Sequence, residues 1–180
     1  AAAAVAAAGL GAGRKPRAVL AAWGALFDYE AREPQSPFEG QRRVYELMLQ
    51  SRRSARAWAQ SPEAQGLGVE LRSIGPAAFW AELASYRFLL SPLGSGIQRH
   101  AVNEALLVLT VPIVQRYPVY DDLLRMGFPL VVVERWSDVT RETLAERWRA
   151  LAPRLGSFRR HCLTTEAYWR LLTAEAERCS

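Results

Sequence analysis

The stretch Tyr86-Arg87-Phe88-Leu89-Leu90-Ser91-Pro92-Leu93-Gly94-Ser95-Gly96-Ile97-Gln98-Arg99-His100-Ala101-Val102-Asn103-Glu104 decides how this chain folds. It opens on an aromatic and apolar run of strand length and passes through a glycine loop. It then continues with Ala101, Ala105, Leu106 and Leu109 at helical spacing. Glycines let a backbone approach a ligand closely and adopt positive φ. The N–H groups that open the following helix have no partner inside it and favour an anion such as phosphate. Glu104 falls about one turn into that helix and shares a face with His100 at i, i+4. A carboxylate there is placed to accept from the hydroxyls of a ribose. The loop alone is a weak signal. It lacks the Lys-Ser/Thr ending of a Walker loop, and Arg99 stands where a dinucleotide fingerprint needs its third glycine. A plain strand-to-helix turn would carry the same glycines.

The flanking sequence repeats the alternation. Upstream, Arg17 to Trp23 suits a buried strand. Pro34 and Pro37 mark a loop. Residues 39–56 are strongly helical, with Val44, Leu47 and Met48 as the expected buried stripe and the surrounding arginines as a solvated face. Ser61-Pro62-Glu63 is a helix start with Ser61 as cap. Val69-Glu70-Leu71 is a short strand, and residues 77–84 a short helix. Downstream, Val111-Pro112-Ile113-Val114 is a strand with proline at its start. A short helix is expected around Asp121 to Arg125. Leu130-Val131-Val132-Val133 is a β-branched run of the kind found in strands covered on both faces. Thr140 caps a helix over 141–150, and Phe158 to Ala176 is expected to form the last helix. Strand, helix, strand, helix implies parallel strands joined by crossover helices. The predicted fold is α/β: a three-layer Rossmann-like domain over residues 17–180, with a mainly parallel sheet of about five strands. Residues 1–16 read as a flexible Ala/Gly leader, or as the tail of a removed signal or anchor. Ligands of such sheets bind beyond the carboxyl ends of the strands, where the loop after Leu90 sits.

Composition narrows the field further. The chain has 180 residues, with 23 basic against 18 acidic, a net charge of +5. Lys15 is its only lysine. So many arginines fit either a coding bias or forked binding of phosphate. A nucleic-acid binder using Arg42 to Arg56 is disfavoured, because no groove-reading motif is present and aromatics are not interleaved with the basic residues. Two cysteines, Cys162 and Cys179, are too few for a disulfide scaffold, and with His161 they form no recognisable metal site. One disulfide between them stays open. The apolar run from Ala1 to Ala12 is too short to span a bilayer, and no other stretch approaches that length.

Several motifs in order raise the reading above a generic one. Tyr86 to Ile97, His100, Glu104-Ala105-Leu106, Val111-Pro112-Ile113-Val114, Pro118 to Leu124 and Phe128 to Thr140 together resemble the donor-binding half of exostosin-like glycosyltransferases. That resemblance covers roughly a third of the chain, from about Phe79 to Leu144. It implies the C-terminal half of a GT-B fold, with a UDP- or GDP-linked sugar as donor and no metal cofactor. It also implies a glycan or protein acceptor bound by a further N-terminal domain, and a Golgi location. Carried over residue by residue, it gives Ser91, Gly94, Ser95 and Gly96 the phosphate cradle. Arg99 or His100 would assist the leaving diphosphate, and Glu104 would hold the ribose. No catalytic base is assignable; Asp28, Glu30 and Glu33 follow the first strand but read better as solvated loop charges. The chain departs from the family at Gln98, where Asp is usual, at Ala101, where Arg is usual, and at Thr110, where Gly is usual. These departures support an alternative reading, a catalytically degenerate copy that acts as a binding or assembly partner.

Overall fold

The computed structural model describes residues 15–23, 38–94 and 100–179. Among these, Arg17–Ala21 (β1), Val69–Leu71 (β2), Tyr86–Leu90 (β3), Val111–Gln115 (β4) and Val131–Val133 (β5) form one sheet. Every neighbouring pair is parallel, and the spatial order is β2-β1-β3-β4-β5. The helices among the described residues are Glu39–Ala59 (α1), Pro62–Gly66 (α2), Pro76–Leu83 (α3), His100–Leu107 (α4), Pro118–Arg125 (α5), Arg141–His161 (α6) and Thr165–Leu172 (α7). A single 3₁₀ turn, Trp136–Asp138, precedes α6. The chain is therefore an α/β protein with an all-parallel, Rossmann-like sheet.

The order explains the layering. From β1 the chain moves outward to β2, then crosses back over β1 to β3. Right-handed crossovers in opposite directions place their helices on opposite faces. The register agrees. Val19 lies opposite Phe88, and Leu20 opposite Leu89. Val19 and Phe88 belong to a core shared with Ala55 and Ala59 of α1. Trp148 of α6 packs edge-on against Phe88 with ring centroids 5.6 Å apart. Leu20 and Leu89 face the other way, into a smaller core with Leu83 of α3 and Ala101 and Ala105 of α4.

Local signals account for most boundaries. Ser61 Oγ accepts from Ala64 N at 3.2 Å, and Thr140 Oγ1 from Thr143 N at 3.2 Å, capping α2 and α6 as expected. Pro112 sits ahead of the stretch that pairs with β5, which starts at Ile113. Three expectations need correction. The stripe on α1 is not Val44, Leu47 and Met48. Met48 is fully buried, but Val44 and Leu47 are 41% and 38% exposed. The buried line continues instead through Ser51, Arg52, Ala55 and Ala59. The helix from Arg141 does not end near Ala150 but runs to His161, through Pro153. An internal proline costs about 3 kcal/mol, and burial of Leu155 and Phe158 beyond it offsets that. The expected last helix from Phe158 is accordingly divided: Phe158 ends α6, and only residues 165–172 form α7.

The two ends of the described chain are both tied down. Lys15, which the sequence placed in the leader, is only 2% exposed. Its Nζ donates to Ala84 O at 2.6 Å, Val108 O at 2.9 Å and Thr110 Oγ1 at 2.9 Å. The rest of the leader, residues 1–14, lies outside the described residues. At the other end, Cys162 and Cys179 form a disulfide with Cα atoms 5.7 Å apart. Cys179 N also donates to Met126 O at 2.9 Å, laying the tail across the turn between α5 and β5.

Candidate functional site

A sheet of this order reverses direction between β1 and β3, and the carboxyl ends of those strands open a crevice. Ala21 is opposite Leu90, so Ala22-Trp23 and Ser91-Pro92 leave the sheet side by side. Ser91 is fully buried. Its N–H extends the ladder by donating to Ile113 O at 2.8 Å. Its Oγ has no hydrogen-bond partner among the described residues, and neither does the buried Nε1 of Trp23. A buried hydroxyl or indole N–H without a partner costs about 1–3 kcal/mol. Both lie at the switch point, just ahead of residues 24–37 and 95–99, which are outside the described residues.

The loop after Ser91 is docked onto α1. Leu93 N donates to Ser51 Oγ at 3.1 Å, and Arg52 Nε donates to Leu93 O at 3.2 Å. Ser51 Oγ in turn donates to Gln115 Oε1 at 2.6 Å, linking the loop to the end of β4. Trp136 Nε1 donates to Ser54 Oγ at 3.2 Å and ties the turn after β5 to the same helix. Small residues at Ala55 and Ala59 let α1 lie close to the sheet, and helical side chains tilt back toward the helix N-terminus. Arg52 is thus drawn toward the carboxyl edge, 7% exposed, instead of standing on the solvated face expected for it.

Beside this docking point lies a cavity of about 330 Å³ lined by Leu47, Gln50, Ser51, Ser54, Gln115 and Tyr117, among others. Arg116 forms one wall. It is ion-paired to both Glu134 and Asp121. The hydrogen bond to Glu134, then the charge of Asp121, raise its pKa and keep it cationic. Neither Ser51 nor Gln115 was singled out in the sequence. The available signal was the spacing Ser51, Ala55, Ala59, a row of small residues at every fourth position of a helix.

The predicted site residues fall into three groups. Ser91 and Gly94 are placed at the carboxyl end of β3. Ser95, Gly96, Gln98 and Arg99 lie outside the described residues, as do Asp28, Glu30 and Glu33. His100 begins α4 and is exposed; Glu104, one turn later, is half-buried. Ala101 is 9% exposed, packed in the smaller core with Leu89 and Ala105. This position faces the sheet, so a long cation there would have to leave the core to reach the crevice. Thr110 is fully buried and structural. Its Oγ1 receives Lys15 Nζ and lies 3.0 Å from Leu83 O and 2.9 Å from Tyr86 O, one of which takes its proton. No group of three or more His, Cys, Asp or Glu among the described residues is arranged to hold a metal ion.

No protein-family model matches the chain, and no curated protein is significantly similar to it.

Proposed function

We propose that this chain binds a nucleotide-diphosphate sugar in the crevice between β1 and β3, as the donor half of a glycosyltransferase. The observation that supports the reading is the pair of buried polar groups without a partner among the described residues, Ser91 Oγ and Trp23 Nε1, at the switch point of a parallel sheet. The diphosphate lies over the loop that leaves Ser91, against the opening turn of α4. The side chain of Glu104, one turn further, accepts from the ribose hydroxyls. Arg52, bound to Leu93 O, supplies a guanidinium next to the loop. Such preorganised donors stabilise the charge that develops on a departing diphosphate. The sugar is transferred to a glycan or protein acceptor held by a further domain.

The disulfide supports an oxidising compartment, which the Golgi lumen expected from the resemblance would be. Among the described residues no helix is long and apolar enough to cross a membrane. The departures from the resembled family at Gln98 and Ala101 support a second reading, a catalytically degenerate domain that binds donor or partner without turnover. Two variants test the site. Glu104→Ala is expected to weaken UDP- or GDP-sugar binding at least tenfold. Ser91→Ala removes a hydroxyl that has no partner among the described residues and is expected to keep the fold while weakening binding. Full donor affinity in both variants contradicts the assignment. Donor binding without hydrolysis or transfer, measured on a protein that also carries the acceptor-holding domain, favours the degenerate reading.

A further inference from the structure

A second cavity, of about 490 Å³, opens at the opposite edge of the sheet from the donor crevice. It is bounded by Ala18 of β1, Arg87 and Phe88 of β3, Leu67 ahead of β2, and one face of α6. That face presents Arg141, Leu144, Ala145, Trp148 and Arg149, spaced i, i+3, i+4, i+7 and i+8. The strands are five residues long in β1 and β3. Phe88, in the wall of this cavity, stands three residues before Ser91, so at about 3.3 Å per residue roughly 10 Å of strand separates it from the donor crevice.

The walls are apolar and the rim is cationic. Leu67, Leu144, Ala18 and the Phe88–Trp148 pair form the floor, and no carboxylate lines the cavity. Two of the three guanidinium groups are fixed by backbone carbonyls. Arg87 Nε donates to Lys15 O at 3.2 Å, and its guanidinium lies 5.9 Å from the Trp148 ring centroid. Arg141 Nη2 donates to Gly66 O at 2.9 Å. A carbonyl orients a guanidinium without neutralising it. Arg17, Arg72, Arg116, Arg125 and Arg135 are all ion-paired to carboxylates. Among the described residues none of the three at this cavity is so paired. Glu142, next to Arg141 in sequence, is engaged by its own backbone N–H and by Thr140. Those two bonds hold its carboxyl below the usual range, with the charge of Arg141 a smaller cause. The first turn of α6 adds the positive end of its dipole.

We propose that this cavity binds a small ring-bearing polyanion, a molecule with two or more phosphate, sulfate or carboxylate groups on an apolar or aromatic ring. The volume lies in the range of small-molecule sites. The arginines take the anionic groups through forked hydrogen bonds, and the ring packs on the apolar floor.

The probe is naphthalene-1,3,6-trisulfonate, titrated into the full chain by calorimetry at fixed ionic strength. Binding of one equivalent is expected, and sodium sulfate at equal ionic strength should not displace it. The Arg149 side chain makes no hydrogen bond among the described residues, so Arg149→Glu tests the charge without disturbing the fold. It should weaken binding at least tenfold, as should Arg141→Ala. Ser91→Ala and Glu104→Ala at the donor crevice should leave the probe's affinity unchanged, so failure here and failure of the donor reading are distinguishable. Wild-type affinity in both Arg149→Glu and Arg141→Ala overturns the proposal. So does the absence of binding to the folded chain, or displacement by sulfate alone.

Discussion

The C-terminal tail is held by the Cys162–Cys179 disulfide and the Cys179 N–Met126 O hydrogen bond, and its close approach to Gly127 makes the strapping testable. Cys162 and Cys179 are 17 residues apart. Closing a loop of that length in the unfolded chain is worth about 3 kcal/mol in the loop-entropy description. For a domain of this size that corresponds to a melting shift of about 6–12 °C. The replacement Cys162→Ala with Cys179→Ala is expected to lose that amount in chemical or thermal denaturation. Gly127 adds the second term. It has φ +90°, and a Cβ built there would lie 2.8 Å from the carbonyl oxygen of Cys179. The left-handed backbone alone costs an alanine about 1–2 kcal/mol. The collision adds to this only while the tail is strapped across the turn. Gly127→Ala should therefore cost more in the disulfide-bonded chain than in the cysteine-free one, a coupling that a double-mutant cycle reads directly. Equal penalties in the two backgrounds would refute the strapped-tail description. A cysteine-free variant within about 1 kcal/mol of the native chain would refute the loop-closure estimate.

Three further perturbations probe the fold and the loop. Burial pushes the Lys15 ammonium down from 10.5 to about 7. Above that pH the unfolded chain holds a proton that the folded chain has released, so stability should rise with pH toward 10.5, by up to about 1.4 kcal/mol per unit. The three oxygens around Nζ favour the charged form and set the onset of the rise at or above 7. Lys15→Met should abolish the slope in pH-dependent denaturation, and identical slopes would show that Lys15 does not titrate in this range. Met48→Ala should cost about 2–5 kcal/mol as a core truncation, whereas Val44→Ala should cost about 0.5 or less. A Val44→Ala cost comparable to that of Met48→Ala in urea melts would restore the stripe expected from sequence. Ser51→Ala removes bonds to both Gln115 and Leu93. It should cost about 1–3 kcal/mol and weaken donor binding by loosening the loop. Unchanged donor affinity would separate α1 from the site.

Much of the fold was legible because its signals are local. The apolar run Tyr86 to Leu90, the Val131–Val133 strand and the Ser61 and Thr140 caps each depend on neighbours in sequence, and each lies where expected. What was not legible depends on residues far apart. Pro153 looks like a helix stop until Leu155 and Phe158 are seen in the core. Arg52 looks solvated because its partner, Leu93 O, is 41 positions away. Lys15 resembles leader sequence because its three acceptors lie 69, 93 and 95 positions on. The same applies to Ala101. The sequence marks the absence of an arginine there, but only the packing of α4 on Leu89 shows that the position faces the sheet. Of the candidate site, Ser91 stands directly after β3, at its carboxyl end, as the strand-to-loop pattern implied, while the contribution of α1 had no motif to announce it.

The crevice at the carboxyl ends of β1 and β3 is proposed to hold a nucleotide-diphosphate sugar. Calorimetric titration of the folded chain with UDP- and GDP-sugars tests it most directly. One-to-one binding of at least one donor, competed by the matching nucleoside diphosphate and weakened by Glu104→Ala, is the predicted result. No detectable binding of any donor to a chain shown to be folded would contradict it.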